Sequence, residues 1–202
     1  MPRINNLLLQ QCILFGIVLV MWIPASGEVI SDSHYGGFML GYGISYPGFG
    51  ETTERVQVLD VIPRFSFVQN NKLGSDWYTF NRELWIELPV SLILSDSDNV
   101  DHHDFGLFSA TFLMALVSKA HSDFEPYFTI GGGPVYLAGD INGVGSDICG
   151  NYQMGLGVRF KLSKGLIWNF ECRYHHISNL GLASPNIPLN STKFLIGITI
   201  PF

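Results

Sequence analysis

Charge is scarce in this sequence. Of its 202 residues only 14% are Asp, Glu, Lys or Arg, against about 25% in an ordinary soluble domain, too few to cover a water-facing surface of that size. Basic residues are the scarcer sign. With 11 Lys and Arg against 17 Asp and Glu, and a net charge of −6, the chain lacks the basic stripe that nucleic-acid binding requires. Cysteine is limited to three residues. One of them, Cys12, follows two Gln and does not resemble a lipoprotein attachment site. Beyond the N-terminus there is no apolar run long enough for a membrane-spanning helix of ~20 residues. The best stretch, Phe105–Val117, is short and bounded by charges and His. What is abundant is apolar, aromatic and small: 47% hydrophobic, 13% aromatic, 22 Gly and 15 Phe. That composition excludes disorder and points toward lipid contact.

The first segment reads as an address. Arg3 precedes an apolar stretch through Ile23, and Ala25-Ser26-Gly27 supplies the small residues of a cleavage site. Residues 1–27 are therefore expected to be a secretory signal peptide. The alternative, an N-terminal membrane helix, is disfavoured by the short run and its two Gln. One domain remains, residues 28–202, containing Cys149 and Cys172.

Period-two alternation then sets the fold. Leu84, Ile86, Leu88, Val90, Leu92 and Leu94 form an apolar row, alternating with Trp85, Glu87, Pro89, Ser91 and Ile93. Tyr152 to Leu162 alternates in the same way against Gln153, Gly155, Gly157, Arg159 and Lys161. So does Phe194 to Phe202, and a terminal Phe on the apolar row resembles the C-terminal signal of bacterial outer-membrane barrels. Runs of about 9–11 residues match a tilted membrane strand. Further strands are expected at Gly36–Tyr46, Gln57–Val68, Asp104–Lys119, Tyr127–Asp140 and Leu166–Ser178. The expected fold is an all-β, eight-stranded antiparallel transmembrane β-barrel, apolar outside and polar within. Its interior should be filled by side chains. Glu87, Arg159, Lys161, Glu171 and Arg173 should pair there, because buried charges require partners. Turns are expected at Asn70–Asp76, Ala120–Glu125 and Ser163–Gly165. Mostly longer loops are expected at Pro47–Thr53, Ser95–His103, Ile141–Gly150 and Asn179–Ser191. Long loops face the cell exterior in such barrels, so Leu166–Ser178 ends outside.

At that end the lipid-facing row turns from apolar to reactive: Trp168, Phe170, Cys172, Tyr174, His176, Ser178. Positions two apart share a face at roughly 7 Å, which allows the His176 imidazole to accept a proton from the Ser178 hydroxyl. Asn190 returns across the hairpin on the same row. Its side-chain oxygen suits the other ring N–H, as in Cys-His-Asn hydrolases.

The segment HISNLGLASPNIPLNS, with Arg-Tyr-His upstream, resembles the lipid A 3-O-deacylase (PagL-like) family of outer-membrane acyl hydrolases. The motif likeness covers about residues 173–202. It implies hydrolysis of the ester-linked hydroxyacyl chain at the 3-position of lipid A, with lipopolysaccharide as substrate and outer-membrane lipids as surroundings. It assigns Ser178 as nucleophile and His176 as base. It assigns Gly181 and Asn186 as oxyanion donors, with Asn179 among the substrate-positioning residues. The family's Glu falls at Asn190, a departure that predicts a faster Asn190→Glu variant. No metal or cofactor is needed for this chemistry.

Other features read more simply. Asp101, His102, His103 and Asp104 suit a solvated loop better than a metal site, since neighbouring residues point to opposite sides. Gly131-Gly132-Gly133 suits a bend or a close approach. His175 is expected to be a core residue. A hairpin centred on Lys164-Gly165 would put Cys149 opposite residue 180 and Cys172 opposite residue 157, too far apart to bridge. The sequence does not specify a homodimer. Two other functions remain: a catalytically lapsed structural or adhesion barrel, and a soluble lipocalin-like carrier with an apolar interior.

Overall fold

The alternating rows become strands in the computed structural model. It describes residues 34–202 except 76–77, 96–104, 120–122, 139–140, 142 and 163–164. The strand segments are β1 (His34–Ile44), β2 (Gln57–Ser75), β3 (Tyr78–Glu87), β4 (Val90–Ser95), β5 (Phe105–Ser109), β6 (Thr111–Ser118), β7 (Phe124–Leu137), β8 (Ile148–Lys161), β9 (Ile167–Ser178) and β10 (Leu189–Pro201). β3 with β4, and β5 with β6, are each one barrel strand with a short interruption. The sheet is thus an eight-stranded antiparallel barrel, closed by pairing of β1 with β10 from Tyr35↔Pro201 to Ile44↔Thr192. No helix among the described residues is long and apolar enough to cross a membrane. The leader expected at residues 1–27 and the His102-His103 cluster lie outside the described residues.

Both interruptions have local causes. Leu88-Pro89 separates β3 from β4, and proline has no N–H to donate to a ladder. At Ala110, between β5 and β6, the chain passes against the glycine run of β7. A Cβ on Gly133 would sit 1.9 Å from the Ala110 carbonyl oxygen, and one on Gly131 2.0 Å from that of Phe112. The run is therefore a close backbone approach, as its composition suggested.

The expected inside and outside are both present. Phe38, Leu40, Leu156, Phe194, Ile196, Ile198 and Phe202 are exposed on the outer wall, where lipid would cover them. Inside, Arg64 and Arg173 each bond Glu87 and Glu171 at 2.7–2.9 Å, closing a four-membered ionic ring. Arg159 pairs with Glu83, and Lys161 with Glu125 near the short-turn end. A polar lumen and an apolar wall are the reverse of a lipocalin, so the soluble-carrier reading fails. Toward the long loops, the interior is sealed by an apolar cluster including Val58, Leu107, Val135, Val144, Ile177 and Leu189. An internal cavity beside Gln153, His175 and Lys193 measures about 10 Å³, room for about one water. His175 is buried on this lumen side.

Two expectations need correction. The turn placed at Asn70–Asp76 is largely strand: β2 continues to Ser75, and β3 begins at Tyr78. A register shift between Gln69 and Lys72 absorbs the polar stretch that resembled a turn. The β8–β9 register also differs by one residue. Gly150 lies opposite Ser178, and Cys172 opposite Leu156. Residues directly across a ladder share a face, so even must pair with even if both apolar rows are to meet lipid. A pairing of 172 with 157 would have placed lipid-facing residues beside lumen-facing ones. Cys149 and Cys172 are both free.

Candidate active site

β9 carries the reactive row between β8 and β10. Pairing places Tyr152 of β8 and Asn190 of β10 on either side of His176. The Tyr152 ring stacks on the imidazole, with centroids 4.3 Å apart and planes 23° from parallel. On the other side, His176 Nδ1 lies 2.7 Å from Asn190 Oδ1. An amide oxygen can only accept, so Nδ1 holds the proton and Nε2 keeps the lone pair of a base.

Asn190 itself is only 3% exposed and is held from three sides. Tyr174 Oη donates to its Oδ1 at 2.5 Å. Its Nδ2 donates to the Phe49 carbonyl at 3.1 Å and to Thr52 Oγ1 at 3.0 Å. Phe49 and Thr52 belong to the first long loop. There Ser45 ties its side chain to Val56, and a tight turn joins Gly48 N–H to Thr52 O at 3.0 Å. Phe49 also meets the Tyr174 ring edge-on at 5.7 Å.

Ser178 follows on the same strand. It is 6% exposed and makes no side-chain hydrogen bond among the described residues. The chain then turns sharply: Leu180 and Gly181 have φ of 59° and 77°, and Leu182 N–H bonds Asn179 O at 3.0 Å. Glycine takes that conformation freely, whereas leucine does not. Asn179 pins the turn. Its Oδ1 accepts from Gly181 N–H at 2.9 Å, and its Nδ2 donates to carbonyls of Val144, Ala183 and Pro185. Its own N–H donates to Asn186 Oδ1 at 3.0 Å. Asn186 is exposed, and with its oxygen engaged, its Nδ2 is the donor that this network leaves unused. The residues given oxyanion and positioning roles thus form one connected loop beside Ser178. Within it, the Gly181 amide and the Asn179 side chain are already engaged.

Three contributors lie outside the motif, Phe49, Thr52 and Tyr152; Tyr174 stands within it, in Arg-Tyr-His, but was given no role. Tyr152 could have been found from its outward parity opposite His176. Thr52, 138 positions from Asn190, could not.

A closed barrel with an apolar wall and a polar lumen defines the class: a bacterial outer-membrane β-barrel. Residues 66–199 match the family profile of Lipid A 3-O-deacylase (PagL), and the chain belongs to that family. No curated protein sequence matches it. Among solved structures, the barrel is similar to the crystal structure of the outer membrane enzyme PagL: 16% identity, 81% of this chain and 99% of that one, TM-score 0.44. It is also similar to Neisserial surface protein A, at 12% identity, 84% and 97% coverage and TM-score 0.45. A de novo designed transmembrane β-barrel gives 15%, 87%, 100% and 0.46. At these values the family assignment rests on the sequence match alone.

Proposed function

We propose that this protein, exported by the leader at residues 1–27, removes the 3-O-linked hydroxyacyl chain of lipid A from the outer leaflet. Ser178 is the nucleophile and His176 the base. His176 Nε2 takes the hydroxyl proton as Ser178 Oγ attacks the ester carbonyl carbon. The tetrahedral oxyanion accepts a hydrogen bond from Asn186 Nδ2. Its collapse breaks the bond to the sugar oxygen, which takes the proton from His176 and leaves as the 3-hydroxyl. Water, deprotonated in turn by His176, then hydrolyses the acyl-serine and frees a 3-hydroxy fatty acid. The observation that carries this reading is the 2.7 Å contact between His176 Nδ1 and Asn190 Oδ1, which leaves Nε2 with the lone pair of a base. Substrate chemistry supports it. Below the site a depression of about 440 Å³, lined by Leu156, Phe170, Cys172, Phe194 and Ile196, lets an acyl chain stay among lipids while its ester meets water.

The purified, folded chain should release 3-hydroxy fatty acid from lipid A, and Ser178→Ala and His176→Asn should not. Equal release by Ser178→Ala would remove the serine mechanism. The second reading, a lapsed barrel, is favoured by Asn190 where relatives have Glu; it predicts no release by any of the three.

A further inference from the structure

In the relatives to which the motif is similar, the third group is a carboxylate; here it is a buried amide, and the structure around it is complementary to an amide. We propose that Asn190 is a fitted member of this site, aimed at His176 by the first external loop, with Thr52 and Tyr174 as positioning residues. The proposal rests on the reading of Ser178 and His176 given above.

The hydrogen-bond inventory makes the case. A side-chain amide offers two donor hydrogens and two acceptor lone pairs. Oδ1 receives His176 Nδ1–H and the Tyr174 hydroxyl, and Nδ2 donates to Phe49 O and Thr52 Oγ1. Every capacity is filled, as a buried polar group requires. The amide cannot sit the other way round, because Phe49 O is a carbonyl and only accepts. Thr52 confirms the direction. Its hydroxyl donates to Pro188 O at 3.1 Å, leaving its lone pairs for Asn190 N–H at 2.7 Å and Asn190 Nδ2. The orientation of Asn190 then dictates the tautomer of His176. Gly50 makes the loop's approach possible: at φ +59°, a Cβ there would lie 2.8 Å from Asn190 Nδ2.

A carboxylate has no hydrogen to offer Phe49 O or Thr52 Oγ1. A carboxylate in the amide's place, as in Asn190→Asp, would set a negative oxygen against a carbonyl and pull the Thr52 hydroxyl away from Pro188, and Asn190→Glu adds a methylene to the same mismatch. The expectation from the family pattern therefore reverses: restoring the relatives' residue should slow this enzyme.

The test uses the full folded chain in detergent with lipid A, reading kcat and KM separately, with heat-modifiable gel migration to show folding. Asn190→Glu, Thr52→Val and Tyr174→Phe should each lower kcat about tenfold, the effect of about one lost orienting hydrogen bond, and move KM less than twofold. In an Asn190→Ala background, Tyr174→Phe should add nothing further. A rise in kcat for Asn190→Glu, or unchanged kcat for Thr52→Val, would overturn the proposal. If the wild type releases no fatty acid, the functional reading fails instead, and ring ¹⁵N shifts of His176 decide the positioning separately. They should report an Nδ1–H tautomer in wild type and a mixture in Thr52→Val. A mixture in wild type, or no change in the variant, would refute it.

Discussion

Two asparagines of the loop after Ser178 differ in what their side-chain amides serve. Asn186 Nδ2 makes no hydrogen bond among the described residues, so on the proposed mechanism Asn186→Ala should reduce kcat by about 10²-fold, as loss of one oxyanion donor does, with KM little changed. Steady-state kinetics of acyl release checks this. Asn179 is different. It is fully buried, and the two hydrogens of its Nδ2 are shared among the carbonyls of Val144, Ala183 and Pro185. Asn179→Ala should therefore destabilise the loop by about 1–3 kcal/mol through unsatisfied backbone groups, visible as faster proteolysis within 179–188. Legibility at this scale followed sequence distance. The meeting of His176 and Asn190 was readable because strand parity and one hairpin bring them together. The amide's orientation was not, because it depends on Phe49 and Thr52, which reach Asn190 only when the first and last strands close the barrel.

At the scale of the strand, the alternating rows were almost fully predictive of facing, since only one face of each strand can meet lipid. Boundaries were less so. Polar Asn70-Asn71-Lys72 resembles a turn, yet β2 runs on through it because its partner β3 begins early. Register likewise follows from the rule that facing residues share a side, a stronger constraint than the centre of a short turn. The glycine run shows the same closeness from within: Gly133→Val would force a side chain into the backbone of Ala110. Its expected outcome is loss of the folded, heat-modifiable band. A variant that folds like wild type would show that β7 does not approach so closely.

Among the described residues the barrel's lumen is filled and leaves no pore. Its lumen is closed by ionic pairs in the middle and by apolar side chains at the outer mouth. Removing one member of such a ring leaves a buried charge uncompensated. Arg173→Met should cost about 3–5 kcal/mol, measured as a lower urea midpoint for unfolding in detergent, while surface charge variants should not. On the proposed function, lipid A chemistry belongs to the outside of the barrel, with the interior serving as scaffold. The sequence indicated that division through its charged odd row, but missed Arg64, Glu83 and Asp60 as partners, since their ion pairs with Glu171, Arg159 and Lys193 join strands that are not neighbours in the sheet. The direct test is mass spectrometry of lipid A from bacteria expressing the wild-type chain or Ser178→Ala. Wild type should remove the mass of one 3-hydroxyacyl group and Ser178→Ala should leave lipid A intact. An unaltered spectrum with the folded wild-type protein in the outer membrane would contradict the account.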